Sequence, residues 1–205
     1  MLIKRQNGYA LAADKLLHWV MATLLLSLAL GLAIYLPDPQ RDENWQYWAR
    51  FTARLSFFFF IASYVASPLY ELTQSKPVDW LRRNRRNAGI SFGIAHTIHL
   101  FALVGFLVAS GEPVDMATVI VGGGAYAAMF AMLATSNDAS IRRMGQTNWR
   151  RLHKFGAHYL AFVFAFSYTS SFLESYSKPL YLIVLIWAVI LLRIYVMFRT
   201  KGSAR

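Results

Sequence analysis

Six stretches of the chain are apolar over lengths that reach across about 30 Å of hydrocarbon at roughly 1.5 Å per residue. They lie at about 14–36, 51–70, 88–109, 115–135, 150–172 and 179–199. The polar segments between them are short. The longest, "PDPQRDENWQYWAR" and "ELTQSKPVDWLRRNRRN", are too short to be domains, and no internal repeat is visible. The pattern predicts an all-α chain, with residues 1–205 forming a single transmembrane domain, an integral membrane six-helix bundle. The first apolar run is too long and too far from the start to be a signal peptide, and it lacks a small-residue cleavage site, so it is expected to remain in the mature protein.

Composition points the same way. Of 205 residues, 57% are hydrophobic and 16% aromatic, which an ordinary soluble domain does not carry. The formal net charge of +11 would suit nucleic acid if it were clustered for that purpose, but it alternates by loop. One set of segments holds Lys4, Arg5 and Lys15, then Lys76, Arg82, Arg83, Arg85 and Arg86, then Arg142, Arg143, Arg150, Arg151 and Lys154, and finally Arg199, Lys201 and Arg205. The other set is sparse, with Arg41, Arg50, Arg54 and Lys178, and it carries Asp38, Asp42, Glu43, Glu112 and Glu174. Basic flanks stay cytoplasmic. Both termini and the 71–87 and 136–150 loops are therefore expected inside, and 37–50, 110–114 and 173–178 outside. The expectation is an N-in/C-in integral membrane protein, expected in a bacterial inner membrane, whose basic face meets anionic lipid rather than nucleic acid.

With no cysteine, thiolate metal sites and ordinary iron–sulfur clusters are excluded. "VGGGAY" (121–126) lies inside an apolar span, where small residues serve close helix approach better than phosphate binding.

The candidate chemistry is in the histidines. All five fall in or at the edge of predicted helices: His18 in the first, His96 and His99 in the third, His153 and His158 in the fifth. Ionisable side chains in spans are costly and usually face the bundle interior. His96 and His99, at i and i+3, share one face; His153 and His158, five apart, differ by about 140°. Any one of them suits a buried hydrogen bond between helices. Taken together, imidazoles on two helices among Phe, Leu and Gly suit a b-type haem, which takes a nitrogen on each side of its iron, apolar walls, and basic or polar partners for its propionates. Gly89, Gly93, Ala95 and Gly105 in the third helix, with Gly156, Ala157, Ala161 and Ala165 in the fifth, could make room for a flat macrocycle or serve ordinary helix packing. His18 beside Trp19 reads as interface anchor or ligand, and Arg54 as a snorkelling side chain or a propionate partner.

"FTARLSFFFFIASYVASPLYEL", "LRRNRRNAGISFGIAHTIHL" and "ATSNDASIRRMGQTNWRRLHKFGAHYLAFVFAF" resemble the ferric reductase-like transmembrane domain family, nearest to its MsrQ-like haem b membrane subunits. The resemblance covers about residues 50–172. It implies His99 as the third-helix haem ligand and His153 as the "LH" histidine of the fifth, with His18 at a first-helix histidine position. It also implies electron delivery from the cytoplasmic side to a periplasmic methionine sulfoxide reductase. The chain departs from the pattern where a second fifth-helix histidine is expected, thirteen residues after His153; Phe166 stands there. His96 and His158 are then alternative ligands.

Depth favours those alternatives. Counted from Ala88 and Arg150, His96 and His158 both lie about 12 Å into their spans, with His99 at about 16 Å and His153 at about 5 Å. The expected arrangement is one haem b between the third and fifth helices, its iron held by His158 on one side and His99 or His96 on the other. His153 would serve a second haem with His18 or bond at the interface. The expected function is transfer of electrons across the bilayer from a separate cytoplasmic donor, a flavin reductase or quinol, to an acceptor outside, such as a periplasmic protein. The alternatives are a His-lined metal transporter, which would want carboxylates that the spans lack except at edges such as Asp14, Glu71, Asp115 and Glu174, and a non-redox anchor subunit.

Overall fold

The computed structural model describes residues 18–31, 42–111, 113–175 and 179–202. Every regular element in them is a helix. The helices are α1 (His18–Gly31), α2 (Asp42–Thr73), α3 (Lys76–Ser110), α4 (Met116–Ala134), α5 (Asp138–Met144), α6 (Gln146–Ser175) and α7 (Leu180–Gly202). The expected all-α class therefore holds, with seven helices among the described residues rather than six. Four are long and apolar enough to cross a membrane: Glu43–Thr73, Lys76–Ser110, Met116–Ala134 and Leu180–Thr200.

The two expected spans outside that set differ for separate reasons. The described part of the first, His18–Gly31, is shorter than a bilayer needs, and the rest of 14–36 lies outside the described residues, as do Asp38, Glu112 and Lys178. The fifth is long enough as α6, but Arg150, Arg151, His153, Lys154 and His158 dilute its apolar character.

Three stretches expected as loops are helical. Residues 42–50 belong to α2, where the Trp45 and Trp48 rings pack against glycines of α3 and α1: a Cβ on Gly105 would overlap Trp45, and one on Gly31 would overlap Trp48. Residues 76–87 belong to α3, which has Pro77 in its first turn, where a missing N–H costs nothing. Asp79 pairs there with Arg82 at 2.7 Å and Arg83 at 3.1 Å, the i+3 and i+4 neighbours that a helix brings together. Residues 138–144 form α5, capped by the Asn137 side chain on Ser140 N at 2.8 Å and ended by Gly145 at φ +76°, a conformation that favours glycine. Hydropathy marks what can lie in lipid, not where a helix ends. Depths counted from Ala88 and Arg150 thus start inside helices.

The chain divides into two compact units, with α2 passing from one to the other after Phe60 and α3 after Arg85. The first holds residues 1–60 and 86–113, the second 61–85 and 114–205. In the first, Phe60 meets Phe92 and the buried alanines Ala49, Ala88, Ala95 and Ala102 keep the helices close. In the second, α6 packs on α4, α5 and α7. Leu160, Leu182, Ile186 and Met129 form its buried core. The outward faces are apolar as well: Leu25, Phe101, Ile120, Phe162 and Leu191 are each more than half exposed. Large apolar side chains left exposed in such number suit lipid rather than water.

Candidate functional site

Helix α2 faces α3 in the first unit with Ala49, Thr52 and Ser56, small residues on successive turns that leave room for imidazoles. His99 Nδ1 lies 2.9 Å from the Ala49 carbonyl oxygen. A carbonyl can only accept, so Nδ1 carries the proton and, in the neutral ring, the in-plane lone pair is on Nε2. His96 reaches the same state by a different route. Its Nδ1 lies 2.9 Å from Ser56 Oγ, and that hydroxyl spends its one proton on the Ala53 carbonyl at 2.8 Å, so it accepts from Nδ1–H. The two rings are 5.0 Å apart, and Phe92 lies 5.2 Å from His96. Both rings are thus held by Nδ1–H with Nε2 in the form that binds a metal.

All six buried polar side chains among the described residues are in this unit: Thr23, Ser27, Thr52, Ser56, Ser91 and His96. Thr23 and Thr52 donate back to the carbonyls of Trp19 and Trp48, each at 2.8 Å. Ser27 Oγ, Ser91 Oγ and Trp48 Nε1 are buried without a hydrogen-bond partner. Orphaned donors in an apolar interior are expensive. His96 and His99, three apart on one face of α3, can offer an imidazole nitrogen to one side of a metallated cofactor such as a b-type haem, not to both. His18 is exposed at the first described residue of α1, and the neighbouring Trp19 ring lies 6.4 Å from Phe59. Arg54, half-buried, lies over the Phe51 ring at 5.8 Å.

The second unit holds the other two histidines, and α6 turns them toward different neighbours, as a spacing of five requires. His153 Nε2 lies 3.0 Å from Thr135 Oγ1, whose proton goes to the Ala131 carbonyl at 2.7 Å. The hydroxyl accepts, so Nε2 carries the proton. Trp149 stacks on the ring at 4.2 Å and donates its own Nε1–H to the Thr135 carbonyl at 2.9 Å. His153 and Trp149 thus clamp α6 to the end of α4. The ring's lone pair is on Nδ1, beside its own backbone. His158 is exposed, with Nδ1 2.9 Å from Tyr64 Oη, a contact that either group can donate. It lines a cavity of about 390 Å³ between the second half of α2, α6 and α7.

The glycines sort packing from room. A Cβ on Gly156 would meet Met132 Sδ, one on Gly124 would meet Tyr159 Oη, and Gly105 is covered by Trp45. These three are used for helix contact. Ala161 and Ala165 line the cavity, which leaves it its width.

Arg193, also on the cavity wall, was not among the candidates that sequence reasoning singled out. The loop-by-loop count of basic residues passes over it because it belongs to no loop. A single Arg inside "LIVLIWAVILLRIYVMF" is the signal that could have found it, since a charge within an apolar span requires a reason. Among the described residues, no group of three or more His, Cys, Asp or Glu could by itself hold a metal ion.

No protein-family model matches this chain, and no curated protein or solved structure matches it either.

Proposed function

We propose that this chain is an integral membrane protein that binds haem b and passes electrons between a separate donor on its basic, cytoplasmic side and an acceptor on the other. The observation that carries the reading is the placement of His96 and His99: each Nδ1 lies 2.9 Å from an oxygen of α2, which leaves Nε2 as the nitrogen turned away from that contact, in a unit with orphaned buried donors. His158 lies in the second unit, 12 residues into α6 where His96 is 20 into α3, so the depth that paired them in the sequence does not hold. His153 has Nε2 engaged at Thr135 and serves α4–α6 packing. Bound haem would supply reversible one-electron chemistry at the iron. The apolar outward faces and the alternation of basic segments support the membrane setting and the N-in/C-in orientation. A His-lined metal path finds no cluster among the described residues to build on.

The test is the absorbance spectrum of the full chain purified in detergent from haem-replete cells. The expected result is a red protein with the reduced bands of a b-type haem. A colourless, monodisperse preparation overturns the reading. A reporter fused after Arg205 checks orientation, since activity only on export would reverse it.

A further inference from the structure

Pro68 lies inside α2 and has no N–H, so the Tyr64 carbonyl four residues earlier loses its helical donor. Arg193 supplies one from α7: Nη1 donates to Tyr64 O at 2.6 Å, and the guanidinium lies 4.4 Å over the Tyr64 ring. A guanidinium has five N–H donors, and this is its one hydrogen bond among the described residues. Arg193 is therefore anchored by one donor and presents others at the cavity wall.

The rest of the cavity fits a particular kind of guest. Lys154 lines it too, and both cations lie close enough to act electrostatically on His158. Glu71 is the one carboxylate on the wall, so two cations face one anion. Ala161, Ala165 and Ile190 make the interior apolar, and Phe162, Trp187 and Ile194 at its margin are exposed on the outward surface. His158 is the one imidazole lining it, so the cavity does not by itself offer the two ligands of a bis-histidine haem. We propose that it binds an anionic membrane amphiphile, with the phosphate of an acidic phospholipid on Arg193 and Lys154 and an acyl chain leaving past Phe162 and Ile194. Its volume, within the usual range of about 300–1,000 Å³ for ligand sites, suits a head group and the start of a chain rather than a whole lipid. This inference is independent of the haem reading, because Arg193, Lys154 and Pro68 have no part in the contacts that place His96 and His99.

The experiment compares binding of phosphatidylglycerol and phosphatidylcholine to the full chain by native mass spectrometry from detergent, and thermal unfolding in nanodiscs of phosphatidylcholine with and without phosphatidylglycerol. Wild type should retain phosphatidylglycerol preferentially and unfold at higher temperature with it. Lys154→Gln should lower phosphatidylglycerol affinity about fivefold, the equivalent of about 1 kcal/mol per basic residue facing an anionic head group. Arg193→Gln should lower it further. Because Arg193→Gln also strips the Tyr64 carbonyl, it is repeated in Pro68→Ala, where the helix regains its own donor and folding no longer depends on the arginine. Equal retention of the two lipids by wild type, or a preference unchanged in Lys154→Gln and in Pro68→Ala/Arg193→Gln, overturns the proposal. Full displacement of phosphatidylglycerol by millimolar inorganic phosphate also overturns it, since the site would then take the anion without a chain. A pigmented protein that loses haem in the Arg193 variant and shows no lipid preference assigns the cations to propionates instead. A colourless protein that keeps the lipid preference refutes the haem reading and leaves this one standing.

Discussion

The two units handle polar groups in different ways. The first encloses them: its interior carries Thr23, Ser27, Thr52, Ser56, Ser91 and His96, and some of their donors are left without partners. The second buries polar atoms mainly as the hydroxyls of tyrosines such as Tyr126 and Tyr168, and has further polar groups at the wall of a cavity, where His158 is exposed and Arg193 half-buried. The histidines follow suit. Those of the first unit donate from Nδ1, whereas His153 in the second donates from Nε2. Identical side chains on similar apolar helices thus have different chemistry available, and the difference is set by the acceptor each ring meets. Burying a polar group without a partner costs about 1–3 kcal/mol, so the interior of the first unit is where a polar guest gains most.

Substitution of the histidines puts the largest strain on that contrast. His99→Ala should lose the haem spectrum of the purified chain. His153→Phe, which keeps the stacking on Trp149, should retain the spectrum. Loss of haem in His153→Phe with a normal spectrum in His99→Ala would remove the distinction drawn from the ring nitrogens and favour the "LH" histidine of the family resemblance.

The next effect separates the two ways of satisfying a carbonyl. In wild type the Tyr64 carbonyl depends on Arg193; in Pro68→Ala it does not. A double-mutant cycle of Pro68→Ala and Arg193→Leu, read by unfolding in detergent, should show a coupling of about 1.5–3 kcal/mol, the range for a hydrogen bond to a charged group. Additive effects would mean that Arg193 does not replace the missing helical donor.

Thr135→Val should cost about 1 kcal/mol, one neutral hydrogen bond, and should loosen the clamp of α6 on α4 without changing the haem spectrum. Amide exchange in 131–135 and 149–153 is the measurement, and unchanged protection would argue against the clamp.

The smallest expected effect lies outside both interiors. Asp115 caps α4 by accepting from Thr118 N at 2.9 Å and from the Thr118 hydroxyl, and these bonds hold its carboxyl below the usual 3.8. A depressed folded value means that the stabilisation is complete above about pH 4 and is lost as pH falls through the folded value. Exchange protection at 116–119 should therefore drop only below that window in wild type and stay flat with pH in Asp115→Ala.

Several features were legible because one dimension suffices for them. Hydropathy over a window is a local property, so the apolar segments, their helical state and the separation of His153 from His158 around one helix could be read from order and spacing alone. The start of α2 could not, because Trp45 and Trp48 pack there against glycines of other helices; that of α3 was marked locally, by Pro77 and the Asp79 pairs, but apolar length does not register such signals. Gly156 and Ala161, alike in the sequence as small residues of one helix, divide into a packing contact and a cavity wall for the same reason. The sequence by itself determined that five imidazoles would lie on apolar helices. Only the tertiary structure decided which ring nitrogen of His96, His99 and His153 bears the proton, because that depends on whether a carbonyl or an already committed hydroxyl stands 2.9–3.0 Å away. It also decided that Arg193 answers Pro68, a pairing across 125 residues of chain that no local pattern encodes, since a proline announces the loss of a donor but not which distant side chain will replace it.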